Sequence, residues 1–343
     1  MPSEISGMNA GDREATRFLI DEALSYVYPA ALRAVAMTGV ADHLANGPLT
    51  VAELAGRAGV HEDNLRRTLR LLATRGIFEE LADGRWGLTA IGQPLRADAP
   101  LTARPAILML TERSLWQPTG EMEQVLRHGV SAFEDLFGMP FFEYVARDQQ
   151  AATAFHSGMA AFSDQENAPI AASYDFPAAG TVMDVGGGQG GFLLEVLRLA
   201  TGLEGVLLDA PHVVAEHRLD VDEVKGRWRL SPGDFFTEVP AADVYMVKRV
   251  LHDWDDDQCV RILGNCRRAM AAGGRVLVVD AVIPAGSEPH QAKAVDVLLM
   301  TGLTGRERTE AEFARLLEAA GLRLSRVIPT GTVLSIVEAT AGD

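Results

Sequence analysis

From about residue 180 the chain changes rhythm. TVMDV, EGVLLD, WRLSPGD, ADVYMVKRV and GRVLVVDAVI are short apolar runs, and helical segments separate most of them. LRLSRVIPT and TVLSIVEAT follow as a closing pair. Strands that are apolar along their whole length need cover on both faces, and helical crossovers between parallel strands supply it. The expectation is an α/β fold, with a mostly parallel sheet between two layers of helices.

The first of these runs leads into VMDVGGGQGGF, so Gly186, Gly188 and Gly190 sit where a strand turns into the helix LLEVLRLA. Glycines there permit a tight turn and close approach of a ligand to the backbone. NAD, FAD and S-adenosylmethionine can all use such a loop. Asp209, at the end of the second strand, has the spacing at which a carboxylate meets a ribose diol, and NAD enzymes share that feature. Asp184 points elsewhere. A carboxylate two residues before the first glycine repels a pyrophosphate, whose binding relies on a positive helix terminus. It suits a phosphate-free cation, and S-adenosylmethionine carries a sulfonium and an ammonium. Asp234, in SPGDFF, follows the third strand, placed to accept from an adenine amine. Each acid taken singly also reads as a solvated loop residue.

Residues 1–100 read as mostly helical. ATRFLIDEALSYVYPAALRAVAMTGVADHLANG has apolar residues at helical spacing, and its proline is expected to kink or split it. Thr50 to Glu53 is a capping box, Gly59 ends that helix, and a second helix runs to Gly76. IFEEL and RWGLT, joined by Ala-Asp-Gly, predict a hairpin. Helix, turn, helix, hairpin is a winged-helix pattern. Residues 101–170 are again helical, punctuated by Pro105, Pro118 and Pro140, and YDFPAAG marks the boundary to a sheet domain over 171–343.

The 343 residues carry a formal net charge of −16. That acidity disfavours non-specific contact with nucleic acid or anionic membrane. No apolar run is long enough to cross a bilayer. MPSEISGMNAGDREA lacks the pattern of a signal peptide and reads as a short disordered lead-in, so a cytoplasmic location is expected. Cys259 and Cys266 share one face of an expected helix and read as two reduced, inert thiols.

DVGGGQG, LLDAP, PGDFF, VKRVLHDWDDDQCVRIL and GRERTEAEF occur in the order seen in the class I, S-adenosylmethionine-dependent small-molecule O-methyltransferases, which this chain resembles over nearly its whole length. Those are the plant caffeate and flavonoid type and their bacterial antibiotic-biosynthesis relatives. The resemblance implies a Rossmann-like methyltransferase sheet, an N-terminal helical winged-helix dimerisation domain and a homodimer. It implies S-adenosylmethionine as cofactor, S-adenosylhomocysteine as product, no metal, and a small aromatic acceptor. It also implies partners that include neither nucleic acid nor membrane. The expected cofactor residues are Asp184, Gly186, Gly188, Asp209, Asp234, Phe235, Lys248 and Ser163, with Trp254 near the adenosine edge. The expected acceptor residues are Trp116, Phe155, Met159, Phe162 and Met300.

Methyl transfer from a sulfonium is an in-line displacement, and a phenol with a pKa near ~10 is a poor nucleophile at neutral pH. A base near the acceptor oxygen answers this. The resemblance assigns that role to His252 of the HDW motif, with Asp280 and Glu307 as the acids that orient it. Many plant members have glutamate where this chain has Asp280. Asp253, Asp255, Asp256 and Asp257 read as first-turn helix acids rather than metal ligands. Competing readings are a winged-helix DNA-binding regulator using Arg66, Arg67 and Arg70, and an NAD-dependent oxidoreductase. A third is a family member diverged to hydroxylation or decarboxylation.

Overall fold

The computed structural model describes residues 10–342. Most of the expected disordered lead-in lies outside them. The described residues divide between Thr111 and Glu112 into two compact units.

In the first unit the long apolar stretch is split as its proline requires, into helices Ala10–Leu24 and Val27–Thr38. Pro29 falls in the first turn of the second, where the missing N–H breaks no intrahelical bond. The Thr50 capping box forms: Thr50 Oγ1 accepts from the Glu53 N–H, and the Glu53 carboxylate accepts from the Thr50 N–H at 2.8 Å. Helix Val51–Ala58 stops at Gly59, whose φ of 67° is left-handed, and helix Glu62–Ala73 follows. Three short antiparallel strands close the unit: β1 (Leu49–Thr50), β2 (Phe78–Glu80) and β3 (Arg85–Leu88), in the order β1-β3-β2. Leu54, Leu69, Leu72, Phe78 and Trp86 form its core.

The second unit holds the sheet. Its strands are β4 (Gly180–Val185), β5 (Leu203–Asp209), β6 (Trp228–Pro232), β7 (Ala242–Lys248), β8 (Met270–Asp280), β9 (Leu322–Pro329) and β10 (Ser335–Ala341). The order is β6-β5-β4-β7-β8-β10-β9, parallel from β6 to β8, with β10 antiparallel to both of its neighbours. Both faces are covered, which is why the strands read as continuous apolar runs. Met183, Val206, Tyr245 and Val276 face helices Asp256–Ala269 and Glu310–Ala319. Val182, Leu207, Met246 and Leu277 face helix Gly191–Leu199 and the end of helix Gln149–Ala172. Cys259 and Cys266 are free thiols buried on one face of their helix. No helix among the described residues is long and apolar enough to cross a membrane.

Strand order reverses about β4, whose neighbours β5 and β7 continue in opposite directions across the sheet. In open α/β sheets the crevice beyond the carboxyl ends of such strands is where ligands bind.

Candidate active site

Side-chain alternation along β4 puts Val182 and Asp184 on the same face. Asp184 is in register with Leu207 and Met246, so a carboxylate interrupts an apolar row. It is 1% exposed and neither oxygen has a hydrogen-bond partner. Burial raises its pKa to about 7, against a lowering influence from Lys248. The loop beyond is left-handed at Gly186, Gly188 and Gly190. Close approach also demands glycine here: a Cβ on Gly186 would lie 2.8 Å from Val250 Cγ2, and one on Gly187 2.5 Å from Asp184 Cγ.

Asp209 ends β5 and accepts backbone N–H bonds from Gly188 at 2.8 Å and Ala210 at 2.7 Å. It thereby stitches the glycine loop to the neighbouring strand and keeps lone pairs free. Burial nonetheless raises its pKa. Asp234 is exposed and occupied locally, accepting from Phe236 N–H and Thr237 Oγ1. Lys248 ends β7, and its Nζ donates to Ser163 Oγ at 2.9 Å. Burial, with Arg249 beside it, lowers the Lys248 pKa to about 8.

The HDW segment is a tight turn after β7. His252 is 6% exposed, and its Nδ1 lies 3.0 Å from Glu307 Oε1. Nε2 faces Asp253 Oδ1 at 3.6 Å. Burial alone would lower the imidazole pKa, but Asp253, Glu307 and Asp280 together raise it to about 9. Asp280 is fully buried, and its oxygens have no hydrogen-bond partner. It acts on the histidine through charge alone, while Glu307 makes the contact. Burial raises Asp280 to about 7, against the influence of His252.

Two features outside the sequence expectations hold this turn. A Cβ on Gly305 would lie 2.0 Å from the His252 carbonyl oxygen, so only glycine lets the GRER loop press onto HDW and deliver Glu307. Arg308 is 1% exposed and donates to the Leu251 and Trp254 carbonyls, each at 3.0 Å, and to Asp256 Oδ1 at 2.7 Å. The acid-rich stretch thus divides its work: Asp253 faces the histidine, Asp256 anchors Arg308, and Asp255 caps the next helix by accepting from the Gln258 N–H at 2.9 Å. Among the described residues no group of three or more His, Cys, Asp or Glu could hold a metal ion.

These elements surround an open cavity of about 470 Å³. Of the expected residues, Asp184, Gly186, Gly188, Asp209, Asp234, Phe235, Lys248, Ser163, Trp254, Phe155 and Met159 line it. Trp116, Phe162 and Met300 do not line it, nor do His252, Asp280 and Glu307, although Asp253, which faces His252 at 3.6 Å, does. Phe162 instead sits under the Arg249 guanidinium, 5.4 Å from ring centroid to Cζ. The wall also includes residues that sequence reasoning passed over. Phe142 stacks on Trp254 with centroids 5.0 Å apart, and His156 sits beside Phe155. Phe142 carried no signal beyond its aromatic ring, whereas His156 lies inside the FHSGM stretch already singled out.

Residues 120–323 match the model of the O-methyltransferase domain, and residues 20–97 that of the O-methyltransferase dimerisation domain. The chain is similar to phenazine O-methyltransferase PhzM of Lysobacter antibioticus, 38% identical over 96% of this chain and 97% of that one. It is equally similar to the mitomycin biosynthesis 6-O-methyltransferase of Streptomyces lavendulae, 38% identical over 93% of each. Among solved structures it resembles CalO1, a methyltransferase in calicheamicin biosynthesis, in its SAH-bound form. There the TM-score is 0.89 and the identity 49%, over 98% of this chain and 100% of that one.

Proposed function

Because this chain belongs to the class I S-adenosylmethionine-dependent O-methyltransferases, we propose that it methylates a hydroxyl of an aromatic specialised metabolite, an antibiotic or polyketide-type intermediate, with His252 as general base. The observation that carries the reading is the 3.0 Å contact between His252 Nδ1 and Glu307. It orients the ring and, in the neutral form, keeps the proton on Nδ1, so that Nε2, on the side of the cavity-lining Asp253, is the nitrogen that takes the acceptor's proton. A base raised to about 9 is close to a phenol near ~10, so once the imidazole is in its neutral form, which gains population as pH rises towards 9, the proton moves with little loss.

S-adenosylmethionine, when bound, supplies an electrophilic methyl carbon for in-line displacement. The residues present fit it. Asp184 is a buried carboxylate with no hydrogen-bond partner, beside a glycine loop that a Cβ would obstruct. We assign Asp184 to the cofactor's ammonium, Asp209 to the ribose, and Asp234 with Phe235 to the adenine end. Gly186 and Gly188 allow the approach, and Lys248 and Ser163 complete that wall. Phe155 and Met159 offer an apolar surface to a flat acceptor. We place the contact of a homodimer in residues 20–97.

Purified protein is incubated with methyl-labelled S-adenosylmethionine and a panel of hydroxylated naphthoates, phenazines and quinones. Label is expected on a ring oxygen, and His252→Ala is expected to stop transfer while calorimetric binding of S-adenosylhomocysteine persists. Full turnover in the variant removes His252 as base. Cofactor binding with no label on any phenol points instead to a diverged reaction.

A further inference from the structure

Three residues before His252, the backbone does something costly. Among the described residues Arg249 is the one non-glycine with a positive φ, 53°. A left-handed backbone is uphill for a residue with a Cβ and persists only where its surroundings hold it. Here the Arg249 N–H donates to the Val279 carbonyl at 3.1 Å, which pins the main chain to β8. The guanidinium is held independently. Nη2 donates to Glu166 Oε1 at 2.8 Å and Nε to Oε2 at 3.1 Å. Both side chains are about nine-tenths buried, at 9% and 11% exposure.

Glu166 lies on helix Gln149–Ala172, on the face that also presents Phe155, Met159 and Ser163 at helical spacing. One forked pair therefore ties the helix walling the cavity to the turn carrying the base. A buried ion pair is a weak source of net stability compared with an apolar pair of the same size. What the two-point fork supplies is orientation.

We propose that the Glu166–Arg249 pair is the positioning device of the base: it holds residue 249 left-handed and so sets the turn on which His252 meets the acceptor. This rests on the methyltransferase reading with His252 as base. It makes Glu166 a positioning residue with no contact to the reacting atoms.

The test is steady-state methyl transfer with Glu166→Gln, which keeps the side chain's shape and removes its charge. A small misplacement of a catalytic group lowers turnover steeply, so kcat is expected to fall by about tenfold or more. Acceptor KM is expected to change by no more than about threefold, because Phe155 and Met159 lie outside the turn. S-adenosylhomocysteine affinity is measured alongside, since Glu166 Oε2 also lies 3.9 Å from Lys248 Nζ on the cofactor wall. Glycine adopts a left-handed backbone freely, so adding Arg249→Gly removes both the strain and the unpaired buried charge. That double variant is expected to recover most of the lost kcat. Wild-type kcat in Glu166→Gln, a loss confined to KM or cofactor affinity, or no recovery in the double variant each overturns the proposal. If Glu166→Gln does not fold, judged by its melt, Glu166→Asp is used. It keeps the charge but is too short for the fork, and unchanged kcat there overturns the proposal equally. If the wild-type protein itself methylates no phenol, the functional reading has failed, a result distinct from any of these.

Discussion

Replacing Asp184 by asparagine sets stability against function. The carboxyl is 1% exposed without a hydrogen-bond partner, and burial raises its pKa from 3.8 to about 7. Between those two values the folded protein binds a proton that the unfolded chain has released, so stability falls as pH rises through that window. At ~1.4 kcal/mol for each tenfold change in acidity, ionising Asp184 in the fold costs about 4 kcal/mol by pH 8. Asparagine stays neutral and avoids that cost, though it removes a charge partner of Lys248, which takes back part of the gain. The ligand-free variant is therefore expected to be about 2–4 kcal/mol more stable than wild type at pH 8 and indistinguishable near pH 4. Cofactor affinity moves the other way. Losing a charge-assisted hydrogen bond to the ammonium costs about 1.5–3 kcal/mol, or roughly 10–150-fold in affinity. Thermal melts from pH 4 to 8 and calorimetric titration with S-adenosylhomocysteine, which keeps the ammonium and lacks the sulfonium, measure both effects. Parallel melting curves for variant and wild type would refute the burial argument. Undiminished binding would refute the role of Asp184 in holding the cofactor.

Glu307→Gln should cut kcat by about 10–100-fold, the scale of a lost charge-assisted hydrogen bond, without changing cofactor affinity in calorimetry. Since His252 must be neutral to accept a proton and its pKa is raised to about 9, wild-type kcat/KM should climb with pH up to about 9. In Glu307→Gln the climb should finish at lower pH, because one of the charges raising His252 is gone; a limb that stays put assigns it to another group. Gly305→Ala must move the HDW turn, because its Cβ would lie 2.0 Å from the His252 carbonyl oxygen. A lower melting temperature and a loss of kcat are expected together, and wild-type values for both would show that the loop can shift aside. Asp209→Ala should weaken S-adenosylhomocysteine binding by roughly 10–100-fold by calorimetry, through the ribose contact and the freed Gly188 N–H.

Much of this molecule was legible in the chain because it is written in local terms. Apolar runs broken by helical segments define a sheet covered on both sides, and the observed strands fall on those runs. The Thr50–Glu53 cap, the Gly59 stop and the split at a proline follow from side-chain and backbone chemistry within one turn of helix. The glycine loop, with Asp184 before it, lies in a single strand–turn–helix unit. The order of DVGGGQG, LLDAP, PGDFF, HDW and GRER sufficed to name the family.

The residues of the cavity wall were less legible. Phe155 and Met159 line the cavity, whereas Phe162, on the same helix, faces Arg249 instead. Helical spacing alone does not separate them, since a turn of helix offers apolar side chains to several neighbours at once. Trp116 and Met300 also stand outside that lining, and periodicity holds no information about which distant loop a given face will meet.

What the sequence by itself determined, then, was the α/β architecture, the position of the glycine loop and the family, because each depends on neighbours along the chain or on the order of short motifs. Only the tertiary structure decided how His252 is held. Glu307 reaches His252 from 55 residues away, and Asp280, one methylene shorter than the glutamate of many plant enzymes, acts through charge without a hydrogen bond. Gly305 and Arg308 meet that turn from one loop, and Glu166 meets it through Arg249 from helix Gln149–Ala172. Their relation is a matter of ångströms between segments remote in sequence, and such distances exist only once the sheet has brought the segments together.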